Sequence, residues 1–124
     1  MTWVDESLES GVKEVDLHGY YVEAAMEVAR AVIAEAYENG VPYVRLIHGY
    51  NTSRSRTYPY GAPTIKEELL RLLAEGVFVR NAYSKNSRRH QRRAGFIVLA
   101  IRPNPSPNPH PIWSSLPAKD YAER

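Results

Sequence analysis

The chain has 124 residues, with 16 Lys and Arg against 14 Asp and Glu, four His and no Cys. That length suits one domain of about 100–150 residues. The missing Cys excludes disulfides and every thiolate metal site, and a cytoplasmic location is the expectation. No apolar run approaches the roughly 18 residues of a membrane span, and the acidic stretch 1–10 has no apolar core, so neither a membrane anchor nor a signal peptide is expected.

In chain order, the first patterned stretch is Glu14–His18, where Val15 and Leu17 alternate with Glu14, Asp16 and His18 as on a strand with one apolar face. Helical spacing then links Val22, Ala25, Met26, Ala29, Val32, Ile33, Ala36 and Tyr37 and predicts a helix over Val22–Glu38. Asn39-Gly40 stops it, with Pro42 just beyond. Tyr20 and Tyr21 precede the helix, and one of them is expected to pack as a hydrophobic staple. Val44, Leu46 and Ile47 mark a second strand in Tyr43–His48. A strand–helix–strand run of this size reads as a βαβ unit with parallel strands.

Residues Gly49–Pro63 lack periodicity, hold Asn51, Ser53, Pro59, Gly61 and Pro63, and read as a long functional loop. Thr64 followed by Glu67 matches a capping box; Ile65, Leu69, Leu72 and Leu73 supply the stripe of a second helix, and Gly76 ends it. Val77, Val79, Ala82 and Tyr83 suggest a third strand. After the polar connection Ser84–Gly95, the apolar run Phe96–Ile101 predicts a strand buried on both faces. The order β-α-β-α-β-β makes the expected fold class α/β: a two-layer sandwich with a mixed four-stranded sheet and both helices on one face. Three regions follow: an N-terminal segment 1–11, a domain 12–102 and a proline-rich C-terminal tail 103–124. In the tail, Pro103, Pro105, Pro107, Pro109 and Pro111 alternate, which forbids ladder pairing and favours polyproline geometry. It reads as a linker or partner-docking segment, with Ile112, Trp113 and Leu116 as anchors.

The formal charge of +2 conceals an uneven distribution. Residues 1–44 hold two cations and nine acids, −7 in all, whereas residues 45–102 hold twelve cations and three acids, +9 in all. Such asymmetry points to a polyanion-binding surface. Its densest part is Lys85, Arg88, Arg89, Arg92 and Arg93, with no acid among them; guanidinium forks match phosphate oxygens bidentately. The loop after the second strand interleaves Tyr50, Tyr58 and Tyr60 with Arg54 and Arg56, offering flat rings on which exposed bases of single strands or junctions can stack.

Two short motifs occupy equivalent places: Asp16-Leu17-His18-Gly19 ends the first strand and Ile47-His48-Gly49 ends the second. In a parallel pair both histidines reach the carboxyl edge of the sheet, where open α/β sheets bind ligands, and each is followed by a glycine that permits close approach. Imidazoles titrate near neutrality, so His18 and His48 are candidates for a base and acid pair in phosphodiester cleavage, with Asp16 orienting one ring or holding a divalent ion. RNA would supply its own 2′-hydroxyl as nucleophile and need no metal. DNA would need an activated water, for which a divalent metal such as Mg or Mn at Asp16 is the expected aid. A zinc site on the same residues lacks a secure third protein ligand.

The string Val15-Asp16-Leu17-His18-Gly19, followed by Glu23-Ala24 at the start of the helix, resembles the Leu-Asp-Leu-His-Gly motif of Smr (small MutS-related) domains. Ile47-His48-Gly49 resembles the family's His-Gly-x-Gly motif, with Asn51 where the second glycine stands, and element order agrees over about Val12–Arg102. The resemblance implies a sandwich similar to the C-terminal domain of translation initiation factor 3, nucleic-acid binding, and in several members endonuclease activity. Asp16, His18 and His48 are then the catalytic candidates. Gly19, Gly49, Tyr50, Asn51, Arg54, Arg56, Lys85, Arg88, Arg89, Arg92 and Arg93 are the nucleic-acid-binding ones. The partners implied are RNA or branched or nicked DNA. A module that binds nucleic acid or a ribosomal surface without cutting is the competing expectation.

Overall fold

The computed structural model describes residues 11–49, 63–76, 78, 82–83 and 95–119. Strand β1 (Val12–Asp16) leads into helix α1 (Val22–Glu38), strand β2 (Tyr43–Ile47), helix α2 (Ile65–Ala74), a two-residue β3 (Ala82–Tyr83) and strand β4 (Phe96–Ile101). Three strands, β1, β2 and β4, carry a mixed sheet. β1 pairs parallel with β2 from Val12↔Tyr43 to Asp16↔Ile47, and β2 pairs antiparallel with β4 from Tyr43↔Ala100 to Ile47↔Phe96. The third strand expected from Val77, Val79, Ala82 and Tyr83 amounts to a short ladder of Ala82 and Tyr83 on Ile101 and Ala100. Positions 77 and 79–81 lie outside the described residues.

Side-chain alternation decides what the sheet buries. Val15 and Leu17, Val44 and Leu46, and Ile97, Leu99 and Ile101 point into one core with Val22, Ala25, Val32 and Ile33 of α1 and Ile65, Leu69 and Leu72 of α2. β4 is buried on its other parity as well, Val98 at 1% and Ala100 at 7% exposure, as its unbroken apolar run predicts. On that second face Arg45 pairs with Glu14 at 3.2 Å and lies 4.0 Å from the centroid of the Phe96 ring.

The helices end where local chemistry says they should. α2 opens with a capping box: Thr64 Oγ1 accepts from Glu67 N–H at 3.1 Å and Glu67 Oε1 accepts from Thr64 N–H at 2.9 Å. Along its exposed side Arg71 donates to both Glu68 and Glu75, and the first of these bonds holds the Glu68 carboxyl below its usual range. α1 stops at Asn39-Gly40, and Gly40 takes a left-handed backbone (φ +71°).

Residues 103–119 do not leave the domain; they fold back along α1 from its C-terminus to its start. Asn39, buried at 8% exposure, clamps them: its Nδ2 donates to Ile112 O at 2.8 Å, and its Oδ1 accepts from Asn108 Nδ2 at 2.9 Å and from Ile112 N–H at 3.2 Å. Asn104 Nδ2 donates to Tyr37 O at 2.8 Å, and Ser114 bonds Glu35 through its N–H and its hydroxyl. Of the three expected anchors only Trp113 packs on the core, with Lys13 Nζ 4.4 Å from its ring centroid. Ile112 (71%) and Leu116 (48%) are exposed, because backbone and amide hydrogen bonds rather than apolar side chains seat this strap.

Candidate nucleic-acid interface

The two His-Gly turns meet at one edge of the sheet. Leu17 N–H donates to Ile47 O at 2.7 Å, which carries the parallel ladder one step past β1 and brings the turns side by side. The strand pattern read through His18 therefore ends at Asp16, and His18 and Gly19 form a turn. Gly49 (φ +75°) lies beneath the His18 imidazole; a Cβ at position 49 would stand 3.1 Å from His18 Cδ2. Only glycine combines that backbone with that proximity.

The histidines differ in exposure. His18 follows Leu17, an inward position, and so faces solvent; among the described residues its imidazole makes no hydrogen bond. His48 follows the inward pair Val44 and Leu46 at the same parity, and it is buried at 5% exposure. His48 Nδ1 bonds Gly49 O at 2.6 Å. A carbonyl only accepts, so that nitrogen carries the proton. Nε2 is buried with no hydrogen-bond partner among the described residues. Burial holds the His48 pKa below its ordinary value, against the pull of the Gly49 carbonyl; the charge of Lys66 lowers it further, and the Phe96 backbone opposes this weakly. His48 is thus a neutral ring that braces the second turn.

Asp16 acts on the backbone. Its Oδ1 accepts from His18 N–H at 2.9 Å, an Asx-type bond that shapes the turn and leaves the imidazole unoriented by the carboxylate. Its Oδ2 stands 3.8 Å from Lys119 Nζ. Among the described residues no cluster of three His, Asp or Glu is arranged to hold a metal. A single carboxylate facing an ammonium is a poor donor set for a divalent cation. Tyr20, the staple residue, is buried at 2% exposure and donates its hydroxyl to Pro117 O at 2.6 Å. Burial, then the charge of Asp16, pushes its pKa up.

Gly95 joins the edge from the far side. Its carbonyl accepts from His48 N–H at 2.8 Å and from Gly49 N–H at 3.0 Å. Gly49 and Gly95, which adjoin the sequence stretches 50–62 and 84–94, are thus hydrogen-bonded to each other. Tyr50, Asn51, Arg54, Arg56, Lys85, Arg88, Arg89, Arg92 and Arg93 lie outside the described residues. A separate cavity of about 370 Å³ lies between α1 and the strap, lined by Tyr20, Ala24, Val28, Val32, Leu116 and Pro117 with Glu27 and Glu35. Its apolar walls and two carboxylates do not suit a phosphate.

The model of the Smr domain family matches residues 15–102, from the first motif to the end of β4. The chain belongs to the Smr domain family. No curated protein and no solved structure matches it. The Smr match makes nucleic-acid binding or nuclease-like chemistry the family-level function, and it takes in both His-Gly turns and the basic stretch. No described helix is long and apolar enough to cross a membrane. Two contributors to this Smr edge were not apparent from the sequence: the Gly95 carbonyl and Lys119. Gly95 was detectable as the glycine just before β4; Lys119, beyond the proline run and outside the Smr match, was not.

Proposed function

We propose that this Smr domain binds nucleic acid at the edge where its two His-Gly turns meet and cleaves a phosphodiester bond there. The observation that carries this reading is the exposed His18 imidazole packed over Gly49, which puts a solvent-facing ring at the edge where the two turns meet. On RNA, His18 takes the proton of the 2′-hydroxyl and the freed oxygen attacks phosphorus. The 5′-oxygen leaves with a proton from solvent water, and His18 releases to solvent the proton it took, giving a 2′,3′-cyclic phosphate and a 5′-hydroxyl. Asp16 and His48 serve by position: one shapes the His18 turn, the other holds Gly49. Arg54, Arg56, Lys85, Arg88, Arg89, Arg92 and Arg93, which follow Gly49 or precede Gly95 in the sequence, are the proposed phosphate contacts, and Tyr50 the proposed platform for an unstacked base. The likeness to the C-terminal domain of translation initiation factor 3 belongs to the same proposal, supported by the order of strands and helices.

A second reading, a module that binds RNA, branched or nicked DNA or a ribosomal surface without cutting, is favoured by the burial of His48, which leaves one exposed imidazole across the two turns. Labelled RNA and branched and nicked DNA, incubated with the purified chain in EDTA, Mg or Mn, separate the two. RNA cleavage in EDTA that falls by about 10²–10⁴-fold in His18→Ala supports the catalytic reading. Binding without cutting in every condition establishes the module, and cutting that persists in His18→Ala places the chemistry elsewhere.

A further inference from the structure

The strap delivers one charge to the first turn. Lys119 Nζ donates to His18 O at 2.6 Å, stands 3.8 Å from Asp16 Oδ2 and lies 5.1 Å from the centroid of the Tyr20 ring. Its side chain is 27% exposed, neither free nor sealed. An ammonium has three N–H donors, and among the described residues one is used in a hydrogen bond, so donors remain for an incoming oxygen. The approach is fixed by neighbours, since Tyr20 holds Pro117 two residues earlier. Asp16 is the acid closest in sequence to His18, and its uncompensated charge would repel a phosphate seeking that imidazole. Lys119 offsets it.

We propose that Lys119 is a phosphate-binding residue of this site, supplied by the strap from outside the Smr match. It keeps its bond to the His18 carbonyl while turning a second N–H to a phosphate oxygen beside the imidazole. The proposal rests on the nucleic-acid reading above and names a contact that the family motifs do not contain.

The test uses the full chain with Lys119→Met and Lys119→Arg, titrated with a labelled single-stranded RNA over a salt series, each variant's fold checked by its melting curve. Loss of one phosphate contact lowers the slope of log affinity against log salt by about 0.7 for a single strand. Lys119→Met should show that loss together with weaker binding, and Lys119→Arg should restore both, which a purely structural role would not require. Equal slope and affinity in Lys119→Met and the unsubstituted chain would overturn the proposal and leave the nucleic-acid reading intact. If Lys119→Met melts early, acetylation of Lys119 in the unsubstituted chain decides: bound RNA should slow it, and an unchanged rate overturns the proposal. If the chain binds no oligonucleotide, the nucleic-acid reading falls. Protection of Lys119 by inorganic pyrophosphate then upholds the phosphate site by itself, and absence of protection removes both.

Discussion

The same dipeptide, His-Gly, closes β1 and β2, yet His18-Gly19 and His48-Gly49 do different work. The first turn displays its imidazole and is held from outside, by Asp16 on its N–H and Lys119 on its carbonyl. The second buries its imidazole and is held from within, by His48 on Gly49 O and by Gly95 on both its N–H groups. The cause is parity. Counting inward from Val15, the position two on is Leu17, so His18 turns out; counting from Val44, the positions two and four on are Leu46 and His48, so His48 turns in. Matched motifs at matched strand ends are therefore not matched side chains: one imidazole is exposed at the edge and the other is buried in the wall beside it.

The contrast is broken most sharply by truncating each ring. His48→Ala should lower unfolding free energy by about 2–3 kcal/mol, through an emptied buried site and a lost bond. His18→Ala should stay within about 0.5 kcal/mol, as exposed positions do. Denaturant melts of the two variants measure this, and equal losses would mean that the rings are equivalent after all. Next in size is Gly49→Ala. A left-handed backbone costs an L-residue about 1–2 kcal/mol, and the new methyl would press on His18 Cδ2. Stability should fall and the His18 ring resonances should move together; a stability loss that leaves those resonances in place would separate the turns.

The last effect is a slope rather than a size. The His48 pKa is lowered from its ordinary value of 6.5 by burial, so the unfolded chain binds more protons than the folded one as pH falls through that region. This contribution is complete above about 6.5 and is lost as pH drops toward the depressed folded value. Melts at neutral and mildly acidic pH should show His48→Gln with a flatter dependence than the unsubstituted chain, and parallel curves would contradict a neutral buried His48.

Much of this architecture was legible because its determinants are local. The α1 stripe runs over the bounds it predicts, Val22–Glu38, and Thr64 with Glu67 gives the start of α2. β3 was harder: its place depends on pairing with Ile101 and Ala100 about twenty residues on, which no short window encodes. The course of the strap is not legible in its own residues, because alternating proline removes the usual signals, while the groups that seat it, Asn39 above all, lie some seventy positions away. At the site, the residue types were visible in the motifs but their division of labour was not. His48 needed the inward parity of Val44 and Leu46 carried one step past β2, and Asp16 needed recognition as the acceptor for the amide two residues on.

The bond from Lys119 to His18 joins residues 101 positions apart. During synthesis the Asp16–His18 turn therefore emerges about a hundred residues before the strap residue that bonds it. Order along the chain thus sets order in time: the turn's own residues come first, and the charge that holds its carbonyl comes later.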